Sequence, residues 1–443
     1  MEAATPERGV RPPERVCGGD RGVDAEARAR AQRAARVPSI TVSTPFLGAP
    51  LPSADAFDTL GSPGLPIREY LLVGLTAAVV TFLLTGLVRV LAVRFGAVAW
   101  PRGRDVHVSP TPRWGGLAMF GGVLGGVVVA AQLPALRLAF AYSSEVTGAI
   151  VAAGLLVLVG ALDDRFELDA ITKLAGQATA AGVLVLYGVQ WAVFWVPWGG
   201  GAYLSLSQEQ SVLLTVLLSV ALVNGMNFVD GLDGLAAGIG FVAASATWLF
   251  SLGLLYEAGN DPNAYTPALI AALLAGACFG FLPHNFNPAR IFMGDSGSML
   301  IGLMLAAATT TASGRIPFAS TDGKDVVGLL APLIVLAAVV CVPLLDLLMA
   351  VVRRTRAGAS PFSPDKMHLH HRLLEIGHSH RRAVLLIYLW SGVLAFGAVA
   401  LAVTGAKAVV LWGIGFAVLL AVLATAVPRL RVRSSADRVG ARR

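Results

Sequence analysis

Residues 210–255 read QSVLLTVLLSVALVNGMNFVDGLDGLAAGIGFVAASATWLFSLGLL. Two apolar runs flank the polar segment Asn224-Gly-Met-Asn227-Phe-Val-Asp230-Gly-Leu-Asp233-Gly. Each run approaches the roughly 20 apolar residues that a helix needs to cross the hydrocarbon core of a bilayer. Neither alternates with the period of two that marks a half-buried strand. The stretch therefore reads as two membrane-spanning helices, with amides, carboxylates and glycines gathered where they join.

Outward from this pair the same kind of block recurs. Apolar segments fall near 69–94, 114–133, 146–162, 172–189, 210–229, 234–255, 266–283, 296–313, 326–352, 383–403 and 407–427. Of the 443 residues, 56% are hydrophobic and 14% charged, against about 25% charged in an ordinary soluble domain. The expected fold class is an all-α polytopic membrane protein with about eleven transmembrane helices. In a soluble chain the net charge of +7 would raise nucleic acid as a partner; here the basic residues sit in short loops and a tail, so none is expected. Cys17, Cys278 and Cys341 are too scattered for a disulfide framework or a metal-ligand cluster.

Residues 1–66 are rich in Arg, Ala, Pro, Ser and acidic residues, without a sustained apolar period, and are expected to be a disordered extension. A misassigned start is the alternative, and no signal peptide is expected. Residues 67–428 then form the transmembrane domain and 429–443 a basic tail. Orientation follows from Lys and Arg. They crowd one set of loops, from Arg94, Arg102, Arg104 and Arg113 to Arg353, Arg354, Arg356 and Arg372, against Arg137, Arg315, Lys324 and Lys407 on the other side. The first set is expected to be cytoplasmic, in a plasma membrane, although the arginine-rich extension would then lie outside. Trp191, Trp195 and Trp198 suggest an interfacial aromatic belt with a short hairpin.

The unusual polar residues fall on the expected cytoplasmic side, where membrane-edge ionisable groups are costly and usually functional. Asp163-Asp164 ends an apolar helix, ten residues before Lys173 and fourteen before Gln177. Two adjacent carboxylates need a positive charge nearby: a metal, Lys173 or a cationic substrate. The plainer reading is a helix-end pair with Lys173 as counter-ion. Asn224 and Asn227 share a helix face if the helix continues, and Gly231 and Gly234 break it. Such a set suits a hard cation and its phosphates, or a capped turn. His284-Asn285-Phe-Asn287-Pro-Ala-Arg290-Ile-Phe292-Met-Gly294-Asp295-Ser296-Gly-Ser298 precedes the next helix. A helix N-terminus with small residues is an anion site, while Asp295 could equally be an N-cap and Phe292 simple packing or a base-stacking ring. His368-Leu-His370-His371-Arg372 lies in the longest cytoplasmic loop; no Cys or spaced carboxylate completes a zinc site, and His and Arg donors suit an anion. A basic loop against anionic lipid is the alternative. Asp346, inside an apolar block, either pairs with Arg353 or Arg354 or joins the site.

No nucleotide-binding P-loop, serine elbow or zinc-protease motif is present. Carboxylates, carboxamides, one lysine, histidines and arginines at one membrane face suit Mg²⁺-assisted phosphoryl transfer. A transporter of anionic substrates is the rival; it would place polar groups near the midplane, often in paired interrupted helices. A non-catalytic scaffold leaves the one-sided carboxylates unexplained.

Four segments in order, Pro112-Arg113-Trp-Gly115-Gly116, Asp163-Asp164 with Lys173, Asn224 to Gly234, and His284 to Ser298, resemble the polyprenyl-phosphate N-acetylhexosamine-1-phosphate transferases. The likeness covers about residues 100–380. His368-Leu-His370-His371-Arg372-Leu373 is similar to the N-acetylglucosamine-1-phosphate branch, which starts O-antigen lipopolysaccharide, teichoic acid or arabinogalactan linkers. The phospho-N-acetylmuramoyl-pentapeptide branch would show three consecutive histidines and Phe-Glu. The resemblance implies attack of a polyprenyl phosphate (undecaprenyl or decaprenyl) on UDP-N-acetylglucosamine, with release of UMP. It implies Asn227 and Asp295 as ligands of Mg²⁺, with Mn²⁺ as an alternative. Asp163 or Asp164 would orient or deprotonate the lipid phosphate and Lys173 hold a phosphate, with Asp230 and Asp233 also at the centre. Phe292 and Asp233 would meet uridine; Asn224, Asn285, Arg290, His368, His370, His371 and Arg372 complete the substrate contacts. A homodimer is a further expectation. Whether transfer is direct or passes through an aspartyl intermediate stays open.

Overall fold

A computed structural model describes residues 64–100, 110–191, 193–196, 202–315, four isolated positions (352, 355, 356 and 358), 378–403 and 407–440. All of these belong to one unit spanning residues 60–443. The expectations for residues 1–63, for the span at 326–352 with Asp346, and for His368, His370, His371 and Arg372 lie outside the described residues.

Helices α1 (Ile67–Arg94), α2 (Gly115–Ala130), the short α3 (Arg137–Tyr142), α4 (Glu145–Phe166) and α5 (Ala170–Leu186) come first. They are followed by α6 (Gln208–Val229), α7 (Leu235–Glu257), α8 (Tyr265–Asn285), α9 (Gly294–Ser313), α10 (His380–Val403) and α11 (Lys407–Gly440). Among the described residues, eight helices are long and apolar enough to cross a membrane, and α2 and α5 are shorter apolar helices. The protein is thus an all-α polytopic membrane protein, and ten of the eleven expected blocks coincide with a helix. Among the described residues, strands form two short antiparallel pairs. Val98–Ala99 (β1) pairs with Thr111–Pro112 (β2), and Val193–Val196 (β3) with Ala202–Ser205 (β4), which is the expected hairpin.

Two helix ends and one side-chain placement differ from the sequence reading. Helix α5 stops at Leu186 rather than 189, because Gly188 takes a positive φ of 91°. Helix α11 continues past 428 to Gly440, since backbone hydrogen bonding can outlast the apolar run that marks a span. Trp191 is buried, 4% exposed, and its main-chain N–H donates to Thr215 Oγ1 at 2.9 Å, so it is a packing residue rather than part of an interfacial belt.

Small residues set the spacing of the bundle. Gly276 and Gly280 on α8 face the carbonyls of Gly74 and Ala78 on α1, and a Cβ at either glycine would strike those oxygens. Lipid gives helices no hydrophobic reason to associate, so close backbone approach through small residues carries the packing. Helix α9 occupies the middle: it packs against α2, α4, α6, α7 and α8, and its apolar window is wholly buried. Its N-terminal end lies where α4 and α6 finish and α5 begins, which gathers their polar ends around one helix start.

Candidate active site

The site is built on the first turn of α9. A helix leaves its first N–H groups without intrahelical partners, and the residue at the cap position, Met293, cannot accept from them. Asp164, from the end of α4, does so instead. Its Oδ1 accepts from Asp295 N–H at 2.9 Å, and its Oδ2 from Ser296 N–H at 3.3 Å and Ser296 Oγ at 3.0 Å. Gly294 holds a φ of 72°, and a Cβ there would fall on the Asp164 carboxylate. Gly116 on α2 and Gly160 on α4 lie against the backbone of Ser296 and Gly297 from two sides. The paired glycines of the Pro112-Gly116 segment therefore let α9 start inside the bundle. Trp114 locks the same corner by donating its indole N–H to Ala161 O at 2.9 Å.

With the backbone held this way, the Asp295 side chain is free for other partners. Lys173 Nζ lies 2.5 Å from Asp295 Oδ2 and 2.6 Å from Asp163 Oδ2, so one ammonium bridges two carboxylates. Asp163 Oδ1 accepts from Leu168 N–H at 2.8 Å. On the far side, Asn227 Nδ2 donates to Asp295 Oδ1 at 2.9 Å and to Ser298 Oγ at 3.0 Å. One turn deeper, Asn224 Nδ2 donates to Gln177 Oε1 at 2.6 Å. Lys173 and Gln177 are four apart on α5, and Asn224 and Asn227 three apart on α6, so each helix contributes one face to the site. Asp169 starts α5 in register by accepting from Ile171 and Thr172 N–H, both at 3.1 Å.

The turn after α6 carries the other two carboxylates. Asp233 is 3% exposed; its Oδ2 accepts from Asn287 Nδ2 and from Ala289 N–H, both at 3.0 Å. Asn285, 2% exposed, accepts from Gly234 N–H and donates to Ile291 O, both at 3.0 Å, pinning the turn to the following loop. Asp230 keeps some accessible surface yet is enclosed by protein. Its carboxyl is pushed up to about 8, by burial first and then by the charges of Asp295, Asp164 and Asp233, with Arg113 opposing.

The structure thus brings together Asp163, Asp164, Lys173, Asn224, Asn227, Asp230, Asp233, Asn285 and Asp295. Phe292 sits beside them, half-buried, its main chain bonded to Pro112 and Gly115. Arg290 is exposed, and its N–H donates to His284 O at 2.9 Å. Sequence reasoning did not single out Arg113 as a charge facing Asp230, nor Gly116, Gly160 and Ser296 as the walls of the α9 start. The Pro-Arg-Trp-Gly-Gly segment was the available signal for the first two.

Among the described residues no three His, Cys, Asp or Glu side chains form an all-protein metal cage. Magnesium on a diphosphate does not require one; one or two carboxylates plus phosphate oxygens and waters are the usual set. Asn227 spends its amide protons on Asp295 and Ser298, leaving its carbonyl oxygen for a cation beside Asp295. Even with Asp230 protonated, the four carboxyls of Asp163, Asp164, Asp233 and Asp295 outnumber Lys173 and Arg113. The residues fit a divalent cation.

A family model described as glycosyl transferase family 4 matches residues 146–313, which run from α4 to the end of α9. Over 370 residues the chain is 59% identical to a decaprenyl-phosphate N-acetylglucosaminephosphotransferase of Mycolicibacterium smegmatis, covering 83% of this chain and 90% of that protein. The counterpart of Mycobacterium tuberculosis is 58% identical, with 83% and 91% covered. An undecaprenyl-phosphate alpha-N-acetylglucosaminyl 1-phosphate transferase of Escherichia coli is 30% identical over 310 residues, 69% of this chain and 77% of that one.

Proposed function

The chain belongs to glycosyl transferase family 4, and on that premise we propose that it transfers N-acetylglucosamine 1-phosphate from UDP-N-acetylglucosamine to a polyprenyl phosphate. It is a glycosyl-1-phosphate transferase, and the relatives' names supply the sugar and the lipid class. The supporting observation is the bridge of Lys173 between Asp163 and Asp295, with Asn227 on the other Asp295 oxygen.

In the reaction, an oxygen of the lipid phosphate forms a bond to the β-phosphorus of the nucleotide sugar. The bond from that phosphorus to the bridging oxygen breaks, and UMP leaves with the electron pair. Such transfers are achieved mainly by positioning and charge neutralisation. Lys173, between Asp163 and Asp295, would hold a phosphate. A phosphate monoester has a second pKa near 6 and is mostly ionised at neutral pH, so Asp163 needs only to orient the lipid phosphate. Asp164, both of whose oxygens are engaged by the α9 backbone and Ser296, aims Asp295. Asp233 and the turn it stabilises would meet the nucleotide. Mg²⁺ or Mn²⁺, held by Asn227 and Asp295, would neutralise diphosphate charge. The site would face the cytoplasm of a plasma membrane, the side on which Lys and Arg accumulate.

The test is radiolabelled sugar transfer in membranes from UDP-N-acetylglucosamine to decaprenyl phosphate, with and without Mg²⁺. A Mg²⁺-dependent lipid product, lost in Asp295→Asn while the variant still inserts, is expected. Product only with UDP-muramoyl-pentapeptide would move the protein to the sister branch. Near-normal turnover by Asp295→Asn would remove Asp295 from the site.

A further inference from the structure

Helix α10 is remote in sequence from the turn that carries Asp233, yet it grips that turn at two places. Tyr388 Oη donates to Gly234 O. Gly234 N–H already donates to Asn285 Oδ1 at 3.0 Å, so both polar groups of this left-handed residue (φ 80°) are held. One helical turn on, Gly238 has no room for a Cβ because the Tyr388 ring lies against it. Arg381, two turns before Tyr388, donates from Nε to Asn287 O at 2.8 Å. Asn287 is itself a donor to Asp233 Oδ2, as is the Ala289 N–H. The turn and the loop that supports its carboxylate are therefore both tied to one face of α10.

We propose that Tyr388 and Arg381 are positioning residues that fix the Asp233 turn for binding of the nucleotide half of the donor. Neither needs to touch substrate. Gly234 O also accepts from Gly238 N–H at 2.9 Å, so losing the Tyr388 hydroxyl leaves the carbonyl paired, at a modest cost in stability, and removes the link from α10 that restrains the turn next to Asp233. The ring of Tyr388 and its hydroxyl do separate jobs: the ring fills the notch at Gly238, and the hydroxyl holds Gly234. The inference rests on the reading that the Asp233 turn meets the nucleotide.

The experiment uses the full chain in detergent, with Tyr388→Phe, which keeps the ring, and Arg381→Ala, which removes an exposed side chain. Calorimetric binding of UMP is measured beside steady-state kinetics for both substrates. Each variant is expected to weaken UMP binding and raise KM for the nucleotide sugar by about threefold or more, while KM for decaprenyl phosphate, kcat and Tm stay near wild type. A general structural defect would instead lower kcat and Tm without separating the two KM values, and would overturn the proposal. So would unaltered UMP affinity in both variants of a protein whose wild type binds UMP. A wild type that binds no UMP would overturn the nucleotide reading, and this inference with it.

Discussion

Lys173 shows how one residue acquires its meaning from its neighbours. Its ammonium lies between Asp163 and Asp295 at 2.6 and 2.5 Å. Removing one member of such a group leaves the others with uncompensated charge. Lys173→Met should therefore lower kcat/KM for the lipid phosphate by about 10²-fold or more, a loss large enough to separate phosphate handling from simple packing. Equal kinetics for both substrates in that variant would exclude the role. Asp230 offers a pH test. Burial and the neighbouring carboxylates push its folded-state carboxyl up to about 8, above the ordinary value of about 3.9. The unfolded chain releases this proton first, so the group lowers stability progressively as pH rises from about 4 to 8. Asp230→Asn should then come nearest to wild-type Tm at about pH 4 and exceed it increasingly toward pH 8, measured with chelator present. A constant difference across that range would contradict the burial account. Asp163, Lys173, Asn227 and Asp295 were legible from sequence because polar groups at the ends of apolar runs stand out. Asp164 stood out equally, but its engagement with the backbone of another helix depends on contacts 131 and 132 residues away.

At the scale of elements, the first turn of α9 is the part on which the site depends. The sequence suggests Asp295 just before the helix, as a cap or a ligand. In the structure Asp295 lies inside the first turn, and the capping comes from α4. This exchange works only if α2, α4 and α9 approach backbone to backbone. A Cβ at Gly160 would lie 2.5 Å from Ser296 N and Cα, atoms that cannot move without taking Asp295 with them. Gly160→Ala and Gly116→Ala should each destabilise the protein by about 1–3 kcal/mol, the usual cost of overpacking, and reduce activity further by displacing Asp295. Gly182→Ala, in α5 with no neighbour within 4 Å of its Cβ position, is the control and should leave both unchanged or slightly improved. Thermal melts that fail to separate Gly160→Ala from Gly182→Ala would show that α9 can shift freely.

For the whole molecule, burial and hydropathy run opposite to the order of a soluble protein. Helix α9 has the lowest mean hydropathy of the eight long helices, 1.2, and its window is 100% buried. The span Ala408–Thr425 within α11 has the highest, 2.5, and is 6% buried. Lipid is the outer solvent, so the exterior must be apolar, while the interior tolerates Ser296, Ser298, Thr309 and Thr311, whose hydroxyls all find partners. Trp412 is 82% exposed on α11, whereas Trp191 is 4% exposed. In single-tryptophan variants reconstituted with brominated lipid, Trp412 fluorescence should be strongly quenched and Trp191 nearly spared. Equal quenching of the two would place Trp191 at the lipid boundary after all.

Local composition alone is enough to establish the membrane class, to locate ten of the described helices within a few residues apart from the C-terminal end of α11, and to show which segments hold the polar groups. These follow from local composition, because a bilayer demands long apolar runs and penalises every charge within them. Tertiary structure decided which of those polar groups face one another and which are spent on backbone. Asp164, Asn285 and Asp233 have main-chain partners, and Tyr388 reaches Gly234 across 154 residues. Such assignments depend on close approach between distant helices, which glycines permit but do not specify until the whole bundle has packed.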